Sequence, residues 1–252
     1  LKIPRRKACR FDSGPGHQAF HSMPSLPPVT LGLILACVAV FSLDQLLPLD
    51  HFFALWPLAS GAFMPWQLVT YGFLHGGLAH LIFNMLGLWM FGSELERLWG
   101  RNRYLVFLLA SLVTAGLTQL LVTALLGSSA RTVGASGALY GLLLAYALVF
   151  PRRQFDLLGF VPVVLLMIPS TIFNIAGMLL FIVMLTNRAA LPIRPIPMPA
   201  LGMVVAFGVI ELYLGVLGRS GVAHFAHLGG MAGGWLMLRY WRGQPPFGGR
   251  RR

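Results

Sequence analysis

Seven apolar runs, most of them about as long as a bilayer is thick, constrain this chain more than any other feature. They are Leu31 to Leu47, Leu78 to Trp99, Tyr104 to Leu126, Val133 to Phe150, Leu157 to Leu185, Ala200 to Leu217 and Val222 to Trp241. Crossing about 30 Å of hydrocarbon takes about 20 mostly apolar residues. Composition agrees: of 252 residues 57% are hydrophobic and 10% charged, with mean hydropathy +0.75, against about a quarter charged in a soluble domain. Inside a bilayer the backbone must satisfy its own hydrogen bonds, and a helix does so within one segment. The expected class is an all-α polytopic membrane protein.

The formal net charge of +12 would suit nucleic acid if it lay on one face. It falls instead at the chain ends and in the gaps between apolar runs, where the positive-inside rule puts it, so no nucleic acid partner is expected. With the amino terminus cytoplasmic and six crossings, all but Arg131 and Arg219 of the 19 basic residues fall inside. The expected organisation is a basic cytoplasmic tail over 1–28, a membrane domain over 29–242 and a basic tail over 243–252. Met23 is a candidate translation start. A signal peptide over Leu31 to Leu47 is the weaker reading, since no A-x-A type cleavage site follows. Cys9 and Cys37 lie in different environments and imply neither a disulfide framework nor a metal site.

The six-crossing count requires that Leu157 to Leu185 make no net crossing. Arg152 and Arg153 precede it, Arg188 and Arg194 follow it, and Pro162, Pro169, Asn174 and Gly177 interrupt it. Two full crossings would need about 40 residues. A re-entrant or interfacial hairpin is expected, with one extra span as the rival. The connection Pro48 to Gly77 carries Phe52, Phe53, Trp56, Phe63, Trp66, Tyr71 and Phe73, which suits the membrane interface.

Polar side chains within apolar runs are expensive and call for a functional hypothesis. His80 and Asn84 stand four apart at the start of the second run and project from one helix face. Gly134-Ala135-Ser136-Gly137 opens the fourth run, its glycines clearing space around Ser136, with Tyr140 one turn on. His227 in the last run precedes Gly229, Gly230, Gly233 and Gly234, a small-residue face for close helix packing. With six crossings all three groups reach a similar depth near the outer face. A serine, a histidine to take its proton and two donors for an oxyanion are the parts of a hydrolase. No acid stands in these motifs, which favours a dyad over a triad.

With these motifs in order, HxxxN at His80 to Asn84, GxSG at Gly134 to Gly137 with Tyr140, and AHxxG at Ala226 to Gly230, the sequence closely resembles the rhomboid family of intramembrane serine proteases. The likeness runs from about Val29 to Trp241, with Trp66-Gln67 and Glu94-Leu-Glu96-Arg97 adding to it. It implies a six-helix transmembrane bundle without cofactor or metal, acting on single-span membrane proteins whose helix unwinds near the outer face of the lipid bilayer. Ser136 would be the nucleophile and His227 the base; His80, Asn84 and the Ser136 amide would hold the oxyanion. Tyr140 would pack on the His227 ring, and Gly230 would let the last helix close on the fourth. The implied location is a bacterial inner membrane.

Two departures stand out. Many family members carry Arg where this chain has Gln67, which puts the usual loop anchoring in doubt. The fourth and fifth spans are usually joined by a short loop, whereas about 35 residues lie here between Phe155 and Pro195; if that insert crossed once, His227 would face the wrong side. An inactive rhomboid-like protein that binds transmembrane clients is the alternative, and a haem or ion-handling protein using His80 and His227 a further one. His75 and His224 are read as supporting residues, and Glu94, Glu96 and Arg97 as a structural ionic cluster. Glu211, the one acid inside the fifth span, is a cost that the sequence leaves unexplained, with a partner or gating role open to it.

Overall fold

The computed structural model describes residues 25–127, 129–162, 165, 170–217 and 223–244. Residues 1–24 of the amino-terminal tail, Met23 among them, and 245–252 of the carboxy-terminal tail lie outside the described residues, as does Pro169. The chain is mostly helical: α1 (Pro28–Asp44), the short α2 (Leu49–Phe53) and α3 (Gln67–Thr70), α4 (Leu78–Trp99), α5 (Arg101–Leu126), α6 (Ser136–Val149), α7 (Thr171–Thr186), α8 (Ala200–Leu217) and α9 (His224–Trp241). Two short strands, β1 (Gln154–Asp156) and β2 (Pro197–Pro199), flank α7.

Among the described residues α4, α5 and α8 are long and apolar enough to cross a membrane, while α1 has 17 residues and α6 has 14. At 1.5 Å per residue α6 is only about 21 Å long. It is short because its run is not helical from the start. Thr132 pairs with Leu55 in an antiparallel bridge, and the Gly134 amide donates to Tyr71 O at 2.9 Å. These bonds hold the approach extended, so the helix begins only at Ser136.

The turn from α4 to α5 falls on Gly100, whose φ of 79° favours glycine. Glu96, buried near the end of α4, caps the start of α1. Its carboxylate accepts from the amides of Val29 (3.0 Å) and Thr30 (2.7 Å) and from the Thr30 hydroxyl (2.8 Å). These amides have no intrahelical partner, and a carboxylate suits the positive end of the helix dipole. Replacing Glu96 by Ala should destabilise the fold by about 2 to 4 kcal/mol, since three charge-assisted bonds are lost and buried donors stranded. Thermal unfolding in detergent measures this; an unchanged midpoint would remove the capping role.

Helix α9 packs chiefly against α5 and α6, and its glycines set how closely. A Cβ at Gly229 or Gly233 would strike Thr118 or Thr114 of α5. One at Gly230 would overlap the Gly137 carbonyl of α6, and one at Gly234 would come 3.1 Å from Gly141 Cα. Two glycine pairs, each spaced four apart, thus serve two neighbouring helices.

The doubt over the first loop is resolved by Gln67, which is buried. Its Nε2 donates to Phe52 O (3.2 Å) and Ala62 O (3.0 Å), and its Oε1 accepts from the Trp56 amide (3.2 Å). An amide side chain offers both donors and acceptor, so it ties the loop without a charge.

The two ends of the inserted segment lie side by side. β1 and β2 are antiparallel, with Gln154 opposite Pro199 and Asp156 opposite Pro197. Asp156 clamps the junction, accepting from the amides of Leu158 (3.1 Å) and Ile196 (3.0 Å) and from Arg188 Nε (2.7 Å). Burial alone would raise its pKa, but these bonds outweigh it and hold the carboxyl below the usual carboxylate range. Aromatic edges seat the insert on the bundle: Phe181 of α7 against Phe83 of α4, and Phe160 against Phe207 of α8.

Candidate active site

Ser136 is the first residue of α6 and His227 lies one turn into α9, so both side chains stand near helix amino termini. The glycine contacts between these helices bring them together: Ser136 Oγ lies 2.7 Å from His227 Nε2, within hydrogen-bond distance. Tyr140, one turn along α6, stacks on the imidazole with centroids 4.3 Å apart and planes 5° from parallel. Gly230, one turn below His227, permits this approach.

Gly134 has φ of 122°, and a Cβ there would fall 2.6 Å from Cε1 and 2.7 Å from Nε2 of His80 and 3.7 Å from Ser136 Oγ. Only glycine fits both the backbone and the space. His80 and the Ser136 hydroxyl are thereby neighbours across one Cα. Asn84, one turn below His80, is 3% exposed, and its Nδ2 has no hydrogen-bond partner among the described residues. A buried amide donor without a partner is costly, so it needs a reason to be there. His75 is buried, edge-on to His80 at 5.2 Å.

The motifs gave no sign of Glu211. Buried in α8, it places Oε2 2.5 Å from His224 Nδ1 and 3.0 Å from His227 Nδ1, while Oε1 accepts a hydrogen bond from the Tyr140 hydroxyl. The His227 contact is at ion-pair distance but falls short of an aligned hydrogen bond, and that buried Nδ1 has no other partner among the described residues. The sequence signal was the acid itself, alone in the middle of an apolar run. Glu211, His224 and His227 also form a two-histidine, one-carboxylate donor set with atoms within 4.8 Å of one another, the composition of some catalytic zinc sites. Here the carboxylate oxygens already face Tyr140 and both imidazoles.

The sequence profile of the Rhomboid domain matches residues 62–180 and 174–243, which together make up most of the chain. The chain belongs to the rhomboid family. This rhomboid chain is an integral membrane protein. It is 34% identical over 119 residues to the rhomboid protease GlpG of Serratia proteamaculans (strain 568), covering 46% of this chain and 41% of that one. It is 38% identical over 92 residues to the rhomboid protease GluP of Bacillus subtilis (strain 168), covering 36% and 17%. With the rhomboid protease GlpG of Yersinia pestis (strain Pestoides F) it shares 31% identity over 120 residues, covering 46% and 41%. The matches thus span less than half the length of these relatives.

Proposed function

We propose that this chain is an intramembrane serine endopeptidase that cuts single-span membrane proteins near the outer face through a Ser136–His227 pair. The observation that carries this reading is the 2.7 Å contact between Ser136 Oγ and His227 Nε2. Ser136 attacks the scissile carbonyl as its proton passes to Nε2, forming a C–O bond and a tetrahedral oxyanion. Collapse of that intermediate breaks the C–N bond. His227 returns the proton to the leaving amine, and water then releases the acyl-enzyme by the same steps in reverse. No cofactor enters.

The oxyanion is held by His80, Asn84 and the Ser136 amide. The unpartnered Asn84 Nδ2 supports its part, and the position of Ser136 at the start of α6 puts free amides and the positive helix end at the same place. Tyr140 keeps the imidazole plane fixed, while Gly134 and Gly230 keep the space clear for His80 and α9.

The topology that suits this chemistry has six crossings within 29–242, with the amino terminus cytoplasmic in a bacterial inner membrane and the insert a hairpin that enters and leaves on the cytoplasmic side. The positive charge bias supports the orientation, and the β1–β2 pairing supports an insert that leaves and returns at one place. In a chain lacking Cys9 and Cys37, single cysteines at the exposed positions Ser129 and Asn187 should be labelled from opposite sides of intact inverted vesicles. Labelling from the same side would establish an extra crossing and detach His227 from Ser136. The function itself is tested by adding the purified protein in liposomes to single-span probe substrates and identifying the fragments by mass. Cleavage that depends on Ser136 is expected; cleavage indifferent to Ser136 would overturn the reading.

A further inference from the structure

A histidine that receives a proton on Nε2 must carry its own on Nδ1, and something has to hold that tautomer. In this site the Nδ1 of His227 is buried, and among the described residues the acceptor beside it is Glu211 Oε2 at 3.0 Å. The carboxylate is held from three sides. His224 Nδ1 meets the same oxygen at 2.5 Å, the Tyr140 hydroxyl donates to Oε1, and Tyr140 is also the ring stacked on His227. A buried carboxylate persists only where it is paired and hydrogen-bonded, so this arrangement answers the cost of an acid in mid-span. It also joins α6, α8 and α9 at the imidazole.

We infer that Glu211 is a positioning residue for His227, turning the serine–histidine pair into a serine–histidine–glutamate relay whose acid comes from the fifth span and is itself set by His224 and Tyr140. The inference rests on the protease reading above. During attack the Ser136 proton moves to Nε2, and the imidazolium then donates its Nδ1–H to Glu211, which stays ionised; a small turn of the carboxylate aligns that bond. Substrate is not touched by Glu211, so its removal acts on turnover and leaves substrate binding alone.

Three variants and one additive test this with a single-span probe in liposomes. Glu211→Gln keeps the shape but loses the charge, and kcat should fall on the order of 100-fold or more with KM nearly unchanged. Glu211→Asp keeps the charge on a shorter arm and should recover about tenfold or more over Glu211→Gln. A purely structural role predicts the reverse, the shorter side chain being no better than the isosteric amide, and that order would overturn the inference. Thermal midpoints recorded in parallel keep the comparison to folded protein; if Glu211→Gln does not fold, Glu211→Asp against wild type decides alone, wild-type kcat at the retracted carboxylate overturning the relay. Full kcat in Glu211→Gln, with Ser136→Ala inactive, would sink the relay and spare the protease. Activity in Ser136→Ala would sink both. Wild-type cleavage lost to EDTA and restored by zinc would assign the same donors to a metal ion instead.

Discussion

Ser136→Ala and His227→Ala should each lower cleavage of a single-span probe by about 10⁴- to 10⁶-fold, and the double variant should be no worse than either alone. The equality follows from the 2.7 Å contact. Without the hydroxyl the imidazole has no proton to take; without the imidazole the hydroxyl is a poor nucleophile at neutral pH. The two act as one unit, and removing half removes the whole. Residual activity should reflect only what the oxyanion donors do for adventitious water. The measurement is fragment yield against time at saturating probe, over enough protein to detect slow turnover. Two single losses that multiply in the double variant would show independent groups and dissolve the pair. So would a His227→Ala variant with wild-type rate.

The parts of this site that lie within one helical turn of each other were legible in the sequence. His80 and Asn84 share a face because they are four apart, and Tyr140 follows Ser136 by one turn, so helix geometry alone put them together. The joining of Ser136 to His227, 91 residues away, was legible through the matching depth of their motifs in a six-crossing topology, through the family likeness, and through the four glycines of α9 that suit close packing. Glu211 was not legible in its role. It belongs to no motif, and what it touches depends on how α8 is rotated against α6 and α9, which a nearly uniform apolar helix does not encode. The lengths of the helices were not legible for a related reason. Hydropathy marks where a run is apolar, not where it is helical, and α6 gives up the start of its run to the extended approach that pairs with Leu55 and Tyr71. Gln67 shows the opposite case: likeness to relatives cast doubt on the loop, while the residue's own donor and acceptor chemistry was enough to anchor it.

A site at this depth has to reconcile two solvents. Under the proposed mechanism water must reach an acyl-enzyme, yet α5 and α8 expose apolar side chains such as Leu117, Leu121, Val205 and Val209 suited to lipid. The structure divides the labour by helix. α5 and α8 present apolar faces outward, whereas α6 and α9 meet through buried glycines and hold the side chains of the proposed site. The polar groups between them are tied to one another: Tyr140, Glu211, His224 and His227 form one connected cluster. Asn84 stands apart from that cluster, and that isolation makes its loss informative.

Asn84→Ala should cut kcat by on the order of 100-fold or more while leaving KM nearly unchanged and the thermal midpoint equal to or above that of wild type. Most buried polar residues stabilise the fold by their bonds, so that deleting them lowers stability and activity together. Asn84 is 3% exposed and its Nδ2 donates to nothing among the described residues. The resting protein therefore bears the desolvation of that donor, about 1 to 3 kcal/mol, and is relieved of it when the amide is removed. In the proposed mechanism the same donor finds its acceptor when negative charge develops on the substrate oxygen, which is the condition for an interaction to speed the chemical step and not merely tighten binding. His80→Ala serves as the companion, because its ring also fills the space beside Gly134, and it should lose some stability along with rate. If Asn84→Ala lowered the midpoint by several degrees and slowed turnover only in proportion to folded protein, the side chain would be an ordinary packing residue and the oxyanion would have to be held without it.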